Sequence, residues 1–107
     1  RLLYRPWQSG EPLEPDDCGI PAPLASLPAL APEQLALLLV PALAIDRQGV
    51  RLGSGGGWYD RLRADPAWRA IPALVVLPEA CVCEQLPRES WDVPFAGWLD
   101  ERAAHWI

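Results

Sequence analysis

Arg51, Tyr59 and Asp60 are the residues of this 107-residue chain best suited to chemistry, and a glycine cluster separates the first from the other two. Gly53, Gly55, Gly56 and Gly57, four of the chain's eight glycines, fall within five positions. Glycine takes positive φ without a Cβ clash and lets the main chain approach a ligand closely. Arg51 can add a planar, forked cation that matches phosphate or carboxylate. Asp60 can hold a hard cation such as Mg²⁺ beside phosphates. A strand, a glycine loop and a helix in that order make an anion site, with N–H groups pointing outward and a partially positive helix start. The plain alternative is a flexible connector between two elements. The loop is not a Walker A sequence, because no Lys-Ser or Lys-Thr follows the glycines and all nine basic residues are arginine. The spacing Gly53-x-Gly55-Gly56-Gly57 also lacks the third glycine of the dinucleotide fingerprint. Residue chemistry alone stops at a candidate phosphate loop.

The elements that must position this loop can be read on either side of it. Leu35 to Ile45 is a run of eleven apolar or proline residues without alternation, and Ala73 to Leu77 is similar. Such runs predict strands buried on both faces, as in a parallel sheet covered by helices. Between them a helix is predicted from about Gly57 to Ala64, closing near Pro66. Strand, helix, strand implies a right-handed parallel crossover. Leu2 to Tyr4 and Gly97 to Leu99 read as short strands, Ala31 to Gln34 as a helical turn, and Glu79 to Glu84 as a helical or turn element. The fold class expected is α/β, a three-layer, open and mostly parallel sheet with its ligand at the carboxyl ends of the strands.

The chain reads as a single domain, 1–107, with a proline-rich loop region over 8–34 and a core over 35–107. A formal charge of −5 argues against a nucleic-acid partner, which wants a basic face. No apolar run approaches the length of a membrane span. The acidic residues Glu11, Glu14, Asp16 and Asp17 read as part of a solvated loop. Three cysteines are an odd number and imply no disulfide framework, which suits a cytoplasmic setting. Cys81-x-Cys83 with His105 has poor spacing and count for zinc, and His105 has no Ser or Cys partner for a hydrolytic triad. Trp7, Trp68, Trp91, Trp98 and Trp106 read as packing or surface residues.

The block from Val40 to Arg61, Val-Pro-Ala-Leu-Ala-Ile-Asp-Arg-Gln-Gly-Val-Arg-Leu-Gly-Ser-Gly-Gly-Gly-Trp-Tyr-Asp-Arg, resembles the signature of 5-formyltetrahydrofolate cyclo-ligases, also called methenyltetrahydrofolate synthetases. Cys18-Gly-Ile-Pro upstream and Leu86-Pro-Arg-Glu-Ser-Trp-Asp-Val-Pro downstream resemble further landmarks of that family in the right order. The resemblance implies the cyclo-ligase fold, similar to the NagB/RpiA-like α/β proteins. It also implies an N-terminal half that would precede this chain and bring a basic helix, with a lysine and an arginine for ATP, and much of the folate pocket. That half would come from a missing segment or from another chain.

On this resemblance the partners are ATP and 5-formyltetrahydrofolate, with Mg²⁺ as the metal, and no nucleic acid or membrane. Arg51, Leu52, Gly53, Ser54, Gly55, Gly56, Gly57, Trp58 and Tyr59 would line the nucleotide and folate site, Arg51 and Tyr59 would serve catalysis, and Asp60 would bind the metal. One of Trp58 and Tyr59 would pack under the helix while the other faces the pterin or adenine ring. The family transfers the γ-phosphoryl group of ATP to the formyl oxygen; N10 then attacks the activated carbon and phosphate leaves, giving 5,10-methenyltetrahydrofolate and ADP. Several positions depart from the family pattern. Ser54 replaces a tyrosine or basic residue, Trp58 a tyrosine, Ala22 a glutamate, Trp91 a histidine, and Ala96 a second aspartate that can serve the metal. Asp92 or Asp100 would have to compensate for Ala96. Two functions are therefore carried forward: the cyclo-ligase, and a catalytically impaired relative that binds nucleotide, folate or another protein.

Overall fold

Pro41 divides the apolar run 35–45, so that one expected strand becomes two. In a computed structural model describing residues 2–90 and 92–107, strands β3 (Leu38–Pro41) and β4 (Ala44–Asp46) belong to different sheets. Proline brings no N–H to a ladder, so the sheet cannot continue through it as a central strand. The run is also not buried on both faces: Leu38 and Val40 are buried while Leu39 between them is half exposed. Before these strands come β1 (Leu13–Pro15) and β2 (Pro21–Pro23), an antiparallel hairpin inside the proline-rich region. Its acidic residues are exposed, as expected, and two of them also brace the turn. The Asp16 carboxylate accepts the amides of Cys18 and Ile20, and Glu14 accepts that of Ala25.

The remaining elements follow in order: β5 (Arg51–Leu52), α1 (Trp58–Ala64), α2 (Pro66–Arg69), β6 (Ala73–Val76), β7 (Val82–Cys83), β8 (Gly97–Leu99) and β9 (Ala104–Trp106). The fold is α/β. One sheet has the order β3-β6-β8-β9, its first three strands parallel and β9 antiparallel. The second has the order β5-β4-β7, with β4 antiparallel to β5 and parallel to β7. The helix spans nearly the predicted residues, and the chain re-enters α2 directly because Pro66 suits a first helical position and Asp65 caps it by accepting the Ala67 amide. The expected turns are 3-10 turns at Pro32–Gln34 and Glu79–Cys81, the second shorter than expected because Val82 and Cys83 pair with β4 as β7. Leu2 to Tyr4 forms no strand; instead the Tyr4 carbonyl accepts the Leu30 amide and its ring stacks on Trp68 at 5.5 Å.

The core lies between the helices and the strands. Leu38, Val40, Ile45, Ala73, Val75, Phe95 and Trp98 meet there, with Tyr59, Leu62 and Trp68 packed on them from α1 and α2. Val40, Ile45 and Val75 are wholly buried, each contributing about 1.5–3 kcal/mol. Trp68 and Trp98 thus pack, as expected; Trp91 lies outside the described residues. No helix among the described residues is long and apolar enough to cross a membrane.

Candidate anion site at the glycine loop

A buried carboxylate sets the geometry of the loop from below. Asp46 ends β4, and its Oδ1 accepts the amides of Gln48 and Val50, both at 2.9 Å. Gly49 completes the turn at φ 89°, where a side chain would meet the Phe95 carbonyl at 2.5 Å. The turn sends the chain back as β5, pairing Arg51 with Ile45. Burial pushes the Asp46 carboxyl up, but hydrogen bonds from the Leu86, Val50 and Gln48 amides, with Arg88 nearby, outweigh it and hold the group below its ordinary value.

Arg51 is half-buried beside the loop. Its Nε donates to the Pro41 carbonyl at 2.8 Å, and its guanidinium lies 5.1 Å from the centre of the Tyr59 ring. Burial lowers its pKa, opposed by the charges of Asp60 and Tyr59. The group still stays cationic at any ordinary pH. From Gly53 to Gly57 the loop lies open. Ser54, Gly55 and Gly56 are exposed, and Gly55 and Gly57 take φ of 100° and 67°, which require glycine. Among the described residues, no protein acceptor is bonded to the amides of Gly53, Ser54, Gly55, Gly56 or Gly57. Gly57 precedes α1, and its carbonyl accepts the Arg61 amide at 3.0 Å.

The sequence-predicted residues fall into two groups around this loop. Arg51, Gly53, Tyr59 and Asp60 gather on one side, with Tyr59 also packed on the core. Gly56, Trp58 and Arg61 gather on the other, where the Trp58 indole is half-exposed under the Arg61 guanidinium at 4.8 Å. Leu52 points its side chain outward, and its carbonyl accepts the Leu43 amide. Trp58 also walls a cleft of about 540 Å³ with Arg61, Leu62, Trp68, Tyr4 and Leu30. Burial there, with Tyr59 nearby, pushes the Tyr4 phenol up to about 12.

Asp92 and Asp100, the carboxylates nearest in sequence to Ala96, each accept hydrogen bonds from their own neighbourhood. Asp92 accepts the Glu89 amide at 2.7 Å. Asp100 accepts the Trp98 indole and the amides of Arg102 and Ala103, and lies 3.0 Å from His105 Nε2. Burial would raise its pKa, but those donors hold it down to about 2. Ala96 itself is tied into the sheet through its amide to Ala73. Sequence reasoning passed over Arg63, which is 4% exposed, donates to the Val93 and Pro94 carbonyls and lies 4.1 Å from the centre of the Phe95 ring. Its one signal is an arginine on the apolar Tyr59–Leu62 face of α1. Burial and the charge of Arg69 lower its pKa, while Asp60 opposes them.

Comparison with known proteins places this geometry. A 5-formyltetrahydrofolate cyclo-ligase from Haemophilus influenzae is 32% identical over 94 residues, covering 87% of this chain and 50% of its own length. One from Mycolicibacterium smegmatis is 42% identical over 67 residues, which is 63% of this chain and 34% of that protein. The structure of 5,10-methenyltetrahydrofolate synthetase from Aquifex aeolicus is similar with a TM-score of 0.67 at 31% identity, over 92% of this chain and 48% of that one. That of the Mycoplasma pneumoniae synthetase shares the fold, with a TM-score of 0.61 at 24% identity over 71% of this chain and 45% of that one. The chain therefore spans between a third and a half of the length of these relatives. The sequence pattern of the 5-formyltetrahydrofolate cyclo-ligase family matches residues 3–99, and the chain belongs to that family.

Proposed function

We propose that this chain forms the nucleotide-binding half of an enzyme that uses ATP to close 5-formyltetrahydrofolate to 5,10-methenyltetrahydrofolate, releasing ADP and phosphate. The observation that carries the proposal is the open loop from Gly53 to Gly57, its amides free of protein acceptors among the described residues and Arg51 held beside it. Phosphoryl transfer needs positioning and charge neutralisation more than a protein nucleophile. The loop amides would stabilise phosphate oxygens. Arg51 would neutralise charge that develops as the γ-phosphoryl group passes to the formyl oxygen. Tyr59, held between the core and the Arg51 guanidinium, would fix that cation's position, and the exposed face of Trp58 would meet a flat ring.

Mg²⁺ fits this site only in part. Asp60 is one carboxylate near two guanidiniums, and no group of three or more acidic, histidine or cysteine side chains that could hold a metal occurs among the described residues. A magnesium ion here would take most of its ligands from phosphate oxygens and water, as it commonly does. Bound there, it would add positive charge beside the transferring phosphoryl group. The free thiols Cys18, Cys81 and Cys83 suit a reducing cytoplasmic setting.

Ala96 favours a second reading, nucleotide binding without turnover, because it brings no carboxylate where the family pattern has one and Asp100 is bonded to Trp98 and the amides of Arg102 and Ala103. Titration with ATP and Mg²⁺ tests the first step: the chain binds, and Arg51→Ala weakens binding about tenfold or more. No binding by the native chain would sink both readings. The absorbance of methenyltetrahydrofolate separates them. A rise that needs ATP and is lost in Asp60→Ala supports the enzyme, and its absence from a full-length parent that binds ATP leaves binding alone.

A further inference from the structure

We infer that Gly53 is a positioning residue whose missing side chain is the space in which the Arg51 guanidinium lies. The inference rests on the reading of the loop as an anion site and assigns this glycine a role distinct from those of Gly55 and Gly57. Gly55 and Gly57 are required by backbone conformation, with φ of 100° and 67°. Gly53 is not among the glycines at positive φ, so its main chain could carry a side chain without strain.

The demand for glycine at this position comes from the neighbouring side chain. A Cβ on residue 53 would lie 2.5 Å from Arg51 Nη1 and 2.8 Å from Cζ and Nη2. Those distances are far inside van der Waals contact, and the three nearest atoms belong to the far end of Arg51. The guanidinium is held from two other directions by the Pro41 carbonyl and the Tyr59 ring. Gly53 supplies the third side. Among the described residues neither η nitrogen donates to a protein acceptor, so the fork keeps its free donors next to the loop. Such a seat fixes a flexible cation before the ligand arrives and reduces the entropy lost on binding. Any side chain at residue 53 would expel the guanidinium without disturbing the backbone.

The experiment is Gly53→Ala in the whole chain, alone and combined with Arg51→Ala, followed by thermal unfolding, nitrogen-15 spectra of the arginine Nε–H groups, and titration with ATP and Mg²⁺. The expected result is a folded Gly53→Ala protein in which the protected Nε–H signal of Arg51 is lost. ATP affinity falls about tenfold, and the double variant binds no more weakly than Arg51→Ala alone. An Nε–H signal that persists in Gly53→Ala overturns the inference. So does an equal loss of affinity in the Arg51→Ala background, or a folding defect that Arg51→Ala fails to relieve. If the Nε–H signal disappears while Arg51→Ala leaves ATP affinity unchanged, the seat stands and the nucleotide reading falls.

Discussion

Asp46 does at one residue what the loop above it depends on. Three amides, from Gln48, Val50 and Leu86, converge on its two oxygens, and no part of it is exposed. Asparagine keeps the shape but turns one acceptor into a donor, leaving a buried amide facing an NH₂ group. Asp46→Asn is therefore expected to lower stability by about 1–3 kcal/mol. Urea unfolding measures it, and an unchanged midpoint would show that the turn does not need the carboxylate. The spacing Asp46-x-x-Gly49 hints at the local turn. The Leu86 amide, forty residues away in sequence, could not have been read from it. Arg51 has the same character: its type advertises anion chemistry, while its bond to Pro41 depends on how β5 folds back over the end of β3.

At the scale of elements, α1 was legible almost to the residue, because the glycines end before Trp58 and Asp65-Pro66 closes the helix and starts the next. The strands were less so. Leu35 to Ile45 looked continuous because composition cannot say which face finds a partner, and Pro41 turned the run into two strands of two sheets. Strand β9 carries no strong signal of its own; pairing with β8 makes it. At their junction a Cβ on Gly97 would run into the His105 carbonyl, a backbone atom that cannot step aside. Gly97→Ala is expected to cost about 3 kcal/mol, the upper end for overpacking, and to change the emission of Trp98. A variant with native stability and emission would mean that β9 does not hold its place against β8.

For the whole molecule, acid and base act through different groups. The Asp46 and Asp100 carboxyls lie below the ordinary value of 3.8, Asp100 at about 2. The folded chain then binds fewer protons than the unfolded chain in that range. Their stabilisation is full above 3.8 and is lost as pH falls through the depressed values. The Tyr4 phenol is raised from 10.0 to about 12, so its contribution holds below 10 and disappears as pH rises toward 12. Denaturant unfolding across the pH range should show stability falling below about 4 and again above about 10. A curve flat from pH 2 to 5 would contradict the acid side of this account. The same sheet that buries Val40 and Val75 on one face leaves Leu39 and Val76 exposed at 50% and 42% on the other, where Leu74 is buried.

Sequence alone determined the order of the central elements, the glycine cluster before the helix, the kind of ligand Arg51 and the loop would suit, and the family through one dense motif. Those are local properties, carried by neighbouring residues and by the limits on φ. Tertiary structure alone decided that Asp100 meets the Trp98 indole and His105, that Arg63 is buried beneath carbonyls, and that the arginine of the loop rests over Gly53. Each of those depends on residues brought together across strands and turns, where the chain's path, and not its composition, sets the distance.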